Sequence, residues 1–353
     1  MRPDYLLFVV SLLFFPQVQV LDEHDRPRWE LLSDKPAEWY RSEMGQAVIA
    51  NILSWQTVRG DWPKNLNTTT RRFSGAKEDL QGTFDNGATT GELMFLARAC
   101  AATQDRRCVE AFLKGLDCVL AAQYPNGGWP QTYPPGEGYP RHITFNDDTM
   151  VQLIRLTRAV AQSPECAFVD QPRRQAALAA FKKGIDCVLK CQIRVNGALT
   201  VWCAQHDEVD FRPRPARTYE LVSLSGKESA EILMLLMSLE DPSPEVVRAI
   251  EAGAAWYESA KLTGIRQVWK NGDKVIVEDP NAPPLWARFY EIDTNRPFFC
   301  GRDGIKKYSM AEIEFERRDN YNWYGDWGAR VAAEFARWKN RTGGESRANE
   351  LHE

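Results

Sequence analysis

Two short groups of oxygen-bearing side chains stand immediately before apolar-periodic helical segments. They are Asp85 and Asn86, within TFDNGATT, and Asn146, Asp147 and Asp148, within ITFNDD. Clustered carboxylates and amides without His or Cys select hard cations, and calcium fits irregular loop sites better than magnesium does. The competing use of such residues is N-capping, in which Asp or Asn accepts from free helix N–H groups. Two groups at matching positions leave these readings evenly balanced. The cationic residues also fall in two groups. Arg212, Arg214 and Arg217 alternate with prolines in FRPRPARTYE, and Arg288, Arg296 and Arg302 lie in ARFYEIDTNRPFFCGRDG. Surface arginine is ordinarily solvated, but an arginine on a Pro-locked loop has lost freedom and suits bidentate binding of carboxylates. The stretch Gln123 to Asp148 adds Trp129, Tyr133 and Tyr139 among prolines and glycines that block regular structure. Acids, arginines and loop aromatics together describe a site for a polyanionic sugar and its counter-ion. Trp62 and Trp129 stack on sugar faces or pack in the core, with equal weight.

The elements that must position these groups repeat. ANILSWQTVRGDW, LDCVLAAQYPNGGW, IDCVLKCQIRVNGALTVW and WYESAKLTGIRQVW each give an amphipathic helix, a polar side chain at its end, a turn and a tryptophan. Trp62, Trp129, Trp202 and Trp269 stand 67, 73 and 67 residues apart. So long and regular a period marks repeated supersecondary units. A second helix is expected after each tryptophan, over Ala88–Ala102, Thr149–Ala161, Glu228–Leu239 and Gly328–Trp338. Short ribbons are expected at Gly197–Ala204 and Lys274–Glu278. The predicted fold is all-α, a partial (α/α)3 toroid of helical hairpins with long functional loops. Loops at one end of such a toroid converge, which brings Asp85, Asp147, Asp148 and Arg217 together.

The remaining bounds are broad. The 353 residues carry a formal net charge of −4, so nothing draws the chain to nucleic acid. Arg2 followed by an apolar run from Tyr5 to Phe15 reads as a cleaved signal over 1–20, too short to span a bilayer. A lipid-exposed anchor is the alternative; the signal reading implies a secreted or periplasmic protein with no stable membrane association, and a monomer is expected. Residues 21–40 form a peripheral segment, 41–341 one catalytic domain and 342–353 a polar tail. Of the eight cysteines, Cys100 with Cys108 and Cys191 with Cys203 are spaced for disulfides, and buried thiols are the alternative.

The motifs WPKN, TFDNGATT, YPNGGWPQTYP, ITFNDD, WCAQHD, ARTYELVSLSGKESAEI, RFYEIDTNRPFFCGRDG and ERRDNYNWYG, in this order from about Ile49 to Trp338, resemble the family-10 pectate lyases. One departure is Asp61, which replaces the second glycine of a Gly-Gly-Trp-Pro turn. The resemblance implies calcium-dependent β-elimination of polygalacturonate to 4,5-unsaturated products. It implies Arg217 as Brønsted base, Arg302 on the reacting uronate carboxylate, and Asp85 with Asp147 or Asp148 at the calcium. Lys64, Asn146 and Arg296 are implied at further sugar subsites. The residues alone leave two rivals open: an inverting hydrolase using Asp85 and Asp148 as acid and base, and a non-catalytic pectin-binding protein.

Overall fold

The computed structural model describes residues 27, 29–33 and 35–349, so the expected signal over 1–20 lies outside the described residues. Eleven α-helices are described. They are α1 (Trp29–Ser33), α2 (Ala37–Arg41), α3 (Glu43–Ser54), α4 (Thr90–Thr103), α5 (Arg106–Ala122), α6 (Thr149–Gln162), α7 (Gln171–Cys191), α8 (Glu228–Met237), α9 (Pro244–Ala260), α10 (Phe315–Asp319) and α11 (Trp327–Asn349). Helix α4 packs on α6, α6 on α8 and α8 on α11, while α5, α7 and α9 form the adjoining outer row. The toroid expected from the repeat is therefore present. Short connections join α4 to α5, α6 to α7 and α8 to α9. Asp105, Asp170 and Ser243 start the outer helices by accepting from backbone N–H groups within the first turn. The long connections α3–α4, α5–α6, α7–α8 and α9–α11 all leave from the opposite end. No described helix is long and apolar enough to cross a membrane.

Periodic side chains hold the hairpins together. Gln56, Gln123 and Gln192 each donate from Nε2 to a carbonyl in their own turn and to Ala111, Ala180 and Ala249 of the next outer helix. The indole N–H groups of Trp62, Trp129 and Trp202 donate to Ile52, Val119 and Val188 carbonyls at 2.7–2.9 Å. All three rings are 0% exposed. Trp62 and Trp129 are thus core residues and cannot stack on a sugar. The fourth equivalent is Trp286, which donates to the Tyr257 carbonyl at 2.8 Å. Trp269, selected by sequence interval, is 60% exposed on a two-stranded ribbon (Ile265–Lys270 with Asp273–Glu278) inserted ahead of the true counterpart. Asp61 keeps the turn of its glycine counterpart. The Thr57 N–H donates to the Asp61 carbonyl as the Tyr124 N–H donates to that of Gly128. The buried Asp61 carboxylate accepts from Thr57, and Gly82 leaves the room it needs.

Strands are short but more numerous than expected. A four-stranded antiparallel sheet orders Lys306–Lys307, Pro297–Cys300, Phe289–Tyr290 and Leu224–Ser225. Beneath it Tyr219, Phe289, Phe298, Phe299, Tyr321 and Trp323 make a second core beside that of the toroid. The eight cysteines are buried free thiols. Cys100 and Cys108 Sγ lie 2.7 Å apart, whereas Cys191 interacts most strongly with Cys187 rather than with Cys203.

Candidate active site

The turns entering α4 and α6 have the same backbone. Asn86 and Gly87 take positive φ of 55° and 74°, and Asp147 and Asp148 take 48° and 65°. Left-handed backbone is tolerated by Gly, Asn and Asp and by few other residues. Asp85 is therefore matched by Asn146, and Asn86 by Asp147. Neither turn uses its acid as a helix cap: no side-chain capping bond forms at the start of α4 or α6. The Asp85 Oδ1 and Asp148 Oδ1 atoms are buried without a partner. The capping alternative fails, and these oxygens are left for something else.

Around Asp147 the long loops converge. Lys227 Nζ lies 3.1 Å from Asp147 Oδ1 and 3.4 Å from Glu228 Oε1. Arg288, 3% exposed, donates from Nη2 to Glu228 Oε1 at 2.5 Å and to Asn146 Oδ1 at 3.0 Å. That same nitrogen is 3.7 Å from Asp147 Oδ1. The Arg288 guanidinium covers the Tyr321 ring at 4.3 Å, and Tyr321 donates to Glu220 Oε1. Glu220 in turn takes Nε and Nη2 of Arg217 at 2.8 and 2.5 Å. Burial alone would raise the Asp147 carboxyl, but Lys227, Arg288 and Arg217 hold it down at about 2. Burial pushes Asp148 up to about 6 against Lys227, with Glu228, Glu231 and Asp147 adding to the rise. Burial works to lower the Arg217 guanidinium, and its pairing with Glu220 more than reverses this.

The expected site residues divide accordingly. Asp85 binds Lys64 Nζ through Oδ2, and Lys64 lines a groove of about 670 Å³ together with Asp147, Asp148 and Lys227. Arg217, Arg302 and Arg317 lie around the Tyr219 ring at 5.0, 5.6 and 4.5 Å. Arg302 itself is paired with Glu316 at 3.0 Å. Asn146 does not offer itself to a sugar: its Nδ2 holds Asp147 Oδ2 at 2.8 Å and its Oδ1 holds Arg288. It orients Asp147 instead. Arg296 stacks on Tyr308 at 3.5 Å, with no contact to the network. Sequence reasoning passed over Lys227, Glu228, Glu220 and Tyr321 and gave Arg288 no role. A signal existed for Arg288, because ARFYE repeats ARTYE 71 residues on.

Among the described residues one grouping brings His and carboxylate ligand atoms together, and the acidic turns offer a second, looser set of oxygens. Ligand atoms of His142, Asp207 and Glu208 lie within 4.8 Å of one another, but Arg214 and Arg141 already neutralise the two carboxylates. Asp85, Asp147 and Asp148 offer only oxygen, the chemistry a hard cation takes, and two of these oxygens are buried with no partner. Lys64 and Lys227 nevertheless pair with Asp85 and Asp147, and the ligand atoms of the three acids are not gathered within 4.8 Å of one another.

Comparison with known proteins bears on what this arrangement does. The family model described as pectic acid lyase matches residues 56–332. A family 10 polysaccharide lyase from Cellvibrio cellulosa is 34% identical, with a TM-score of 0.79 over 89% of this chain and 95% of that one. An aspartate-to-alanine variant described in the same words, in complex with trigalacturonic acid, is 35% identical with a TM-score of 0.77 over 87% of this chain and 98% of the other. No match was found among curated protein sequences. These findings set aside the hydrolase and the non-catalytic binder. A chain matched over most of its length by both comparisons, with its acidic turns and arginines brought to one end of a helical toroid, belongs to the pectic acid lyase family, the family-10 polysaccharide lyases.

Proposed function

We propose that this pectate lyase cleaves α-1,4-linked polygalacturonate by calcium-assisted β-elimination in the groove beside Asp147, Arg217 and Arg288. The observation that carries the reading is the cation-rich network around Asp147 at a groove of about 670 Å³ lined by Asp147, Asp148, Lys64 and Lys227. In galacturonate the C5 hydrogen is α to a carboxylate, and a carboxylate accepts enolate charge poorly. Removing that proton and expelling the C4 oxygen therefore demands dense positive charge at the uronate group. Asp85, Asp147 and Asp148 are the residues that would hold calcium. When bound, the ion neutralises the substrate carboxylate.

The chain's own residues supply the rest. Arg302, 59% exposed at its side chain, is free to exchange Glu316 for a uronate carboxylate. Arg288 is too buried to reach substrate; it fixes Asn146, Asp147 and Glu228 in place. Arg217 is the assigned base, acting through Nη1, the guanidinium nitrogen that Glu220 does not engage. Glu220 opposes this role by favouring the charged form.

That opposition supplies a test. Formation of the unsaturated product is followed by ultraviolet absorbance, with calcium and with chelator. Arg217→Ala abolishes turnover while retaining most substrate binding. Glu220→Gln removes the charge that raises the Arg217 pKa, so the rising limb of the rate–pH profile moves to lower pH. An unshifted limb removes Arg217 from the base role. Full activity in chelator overturns the calcium assignment.

A further inference from the structure

We propose that the groove extends into a distal subsite, walled by Trp29 and Arg98, that binds a further galacturonate unit of the substrate chain. The proposal rests on the pectate lyase reading. The lining that begins at Asp147, Asp148 and Lys227 continues along α4 to Arg98 and across to Trp29 on α1. Trp29 precedes the residues matched by the family model, 56–332, so that match gives it no role.

Its placement is specific. The Trp29 ring sits 6.0 Å from that of Phe95. Its Nε1 lies over Gly91 so closely that a Cβ there would be 2.1 Å away. A glycine inside the first turn of a helix costs about 0.5–1 kcal/mol relative to alanine, and here it makes room for the indole. With Nε1 seated on α4, the half-buried ring also lines the groove, where it can serve as an aromatic platform for a pyranose. Arg98, seven residues after Gly91, is loosely paired among the described residues: Glu165 is 3.7 Å away and 45% exposed. A uronate carboxylate can take that place with better geometry. Glu92 lines the same wall, fully buried, with Oε2 unpartnered. Burial pushes its carboxyl up to about 7, against the Thr68 hydrogen bond. The raised value lowers the charge this acid presents to a polyanion at neutral pH and below. With Lys64 and Lys227 at the other end, the groove offers cations along its length to a polymer bearing one carboxylate per ring.

The test is a chain-length series of oligogalacturonates in the presence of calcium. Trp29→Ala is expected to raise KM about ten-fold for long oligomers, with kcat unchanged, and to leave the shortest cleaved oligomer within about two-fold. Gly91→Ala, which displaces the indole, reproduces this pattern, and the double variant is no worse than either single one. Arg98→Ala gives the same length dependence. An equal loss at every length, or none, overturns the subsite. Absence of turnover by the wild type overturns the lyase reading instead. Equilibrium binding of a long oligogalacturonate to wild type and Trp29→Ala then decides the subsite alone, and equal affinities sink it.

Discussion

Arg288 shows how far a residue's weight in the site can depart from its visibility. It is charged, almost wholly inaccessible, and surrounded by Glu228, Asn146, Asp147 and Tyr321. Burial by itself would favour its neutral form, and Glu228 outweighs that effect. An ion pair of this kind is worth little net stability relative to an apolar replacement of both partners, but removing one partner leaves a buried charge uncompensated. Arg288→Ala should therefore cost about 3–5 kcal/mol in denaturant unfolding. It should also release Asn146 and Asp147 from their geometry, so that kcat falls in whatever fraction remains folded. A variant with unchanged stability would mean that Lys227 and Ser225, already at Glu228, suffice to compensate its charge. The acids before the helices were legible in the sequence because their type and spacing repeat. Their use was not, since only backbone geometry separates an N-cap from an unpartnered oxygen. The repeat of ARTYE as ARFYE marked Arg288, but its burial was hidden because its partners lie 60 and 142 residues away.

Among the elements, the repeat was readable to the extent that it is built from local patterns. Helix faces, turn glutamines and three of four tryptophans obeyed it. The fourth did not, because an inserted ribbon preserved the sequence interval while carrying a different tryptophan. A better register comes from glycines on the outer helices: Gly115, Gly184 and Gly253 are each 69 residues apart. A Cβ at these positions would lie 2.8, 2.8 and 2.7 Å from Leu93, Ile154 and Leu233. The same Cβ atoms at Gly115 and Gly184 would lie 3.0 and 3.1 Å from the Trp62 and Trp129 rings. Gly184→Ala gains about 1 kcal/mol of helix propensity but forces a methyl against both Ile154 and Trp129. Overpacking of this kind costs about 1–3 kcal/mol, so the net change is a lower melting temperature. Because the displaced groups support the turn before α6, activity should fall with it. A melting temperature equal to or above the wild type would show that the hairpin interface yields more easily than its contacts imply.

At the scale of the whole molecule, catalysis and stability are joined through the acidic turns. Those turns connect separate hairpins, so the charge they carry bears on how firmly the loop end of the toroid is closed. Asp148 has no fixed partner for Oδ1, and Glu228, Glu231 and Asp147 oppose its ionisation. Its folded pKa of about 6 stands above the ordinary aspartate value of 3.8. Its contribution to stability is thus complete below the unfolded value and is lost as pH rises through about 6. At neutral pH the charged form costs up to about 3 kcal/mol. A cation bound only by the folded protein returns stability as its concentration exceeds Kd, about 2.7 kcal/mol at a hundred-fold excess. Three outcomes follow for melting at neutral pH. The wild type in chelator melts below the wild type in calcium. Asp148→Asn, which removes the uncompensated charge, melts above the wild type in chelator. Calcium no longer raises the melting temperature of that variant, and its lyase activity is lost or greatly reduced. If calcium stabilises Asp148→Asn as much as the wild type, the ion is held elsewhere, and the His142–Asp207–Glu208 grouping becomes the place to look.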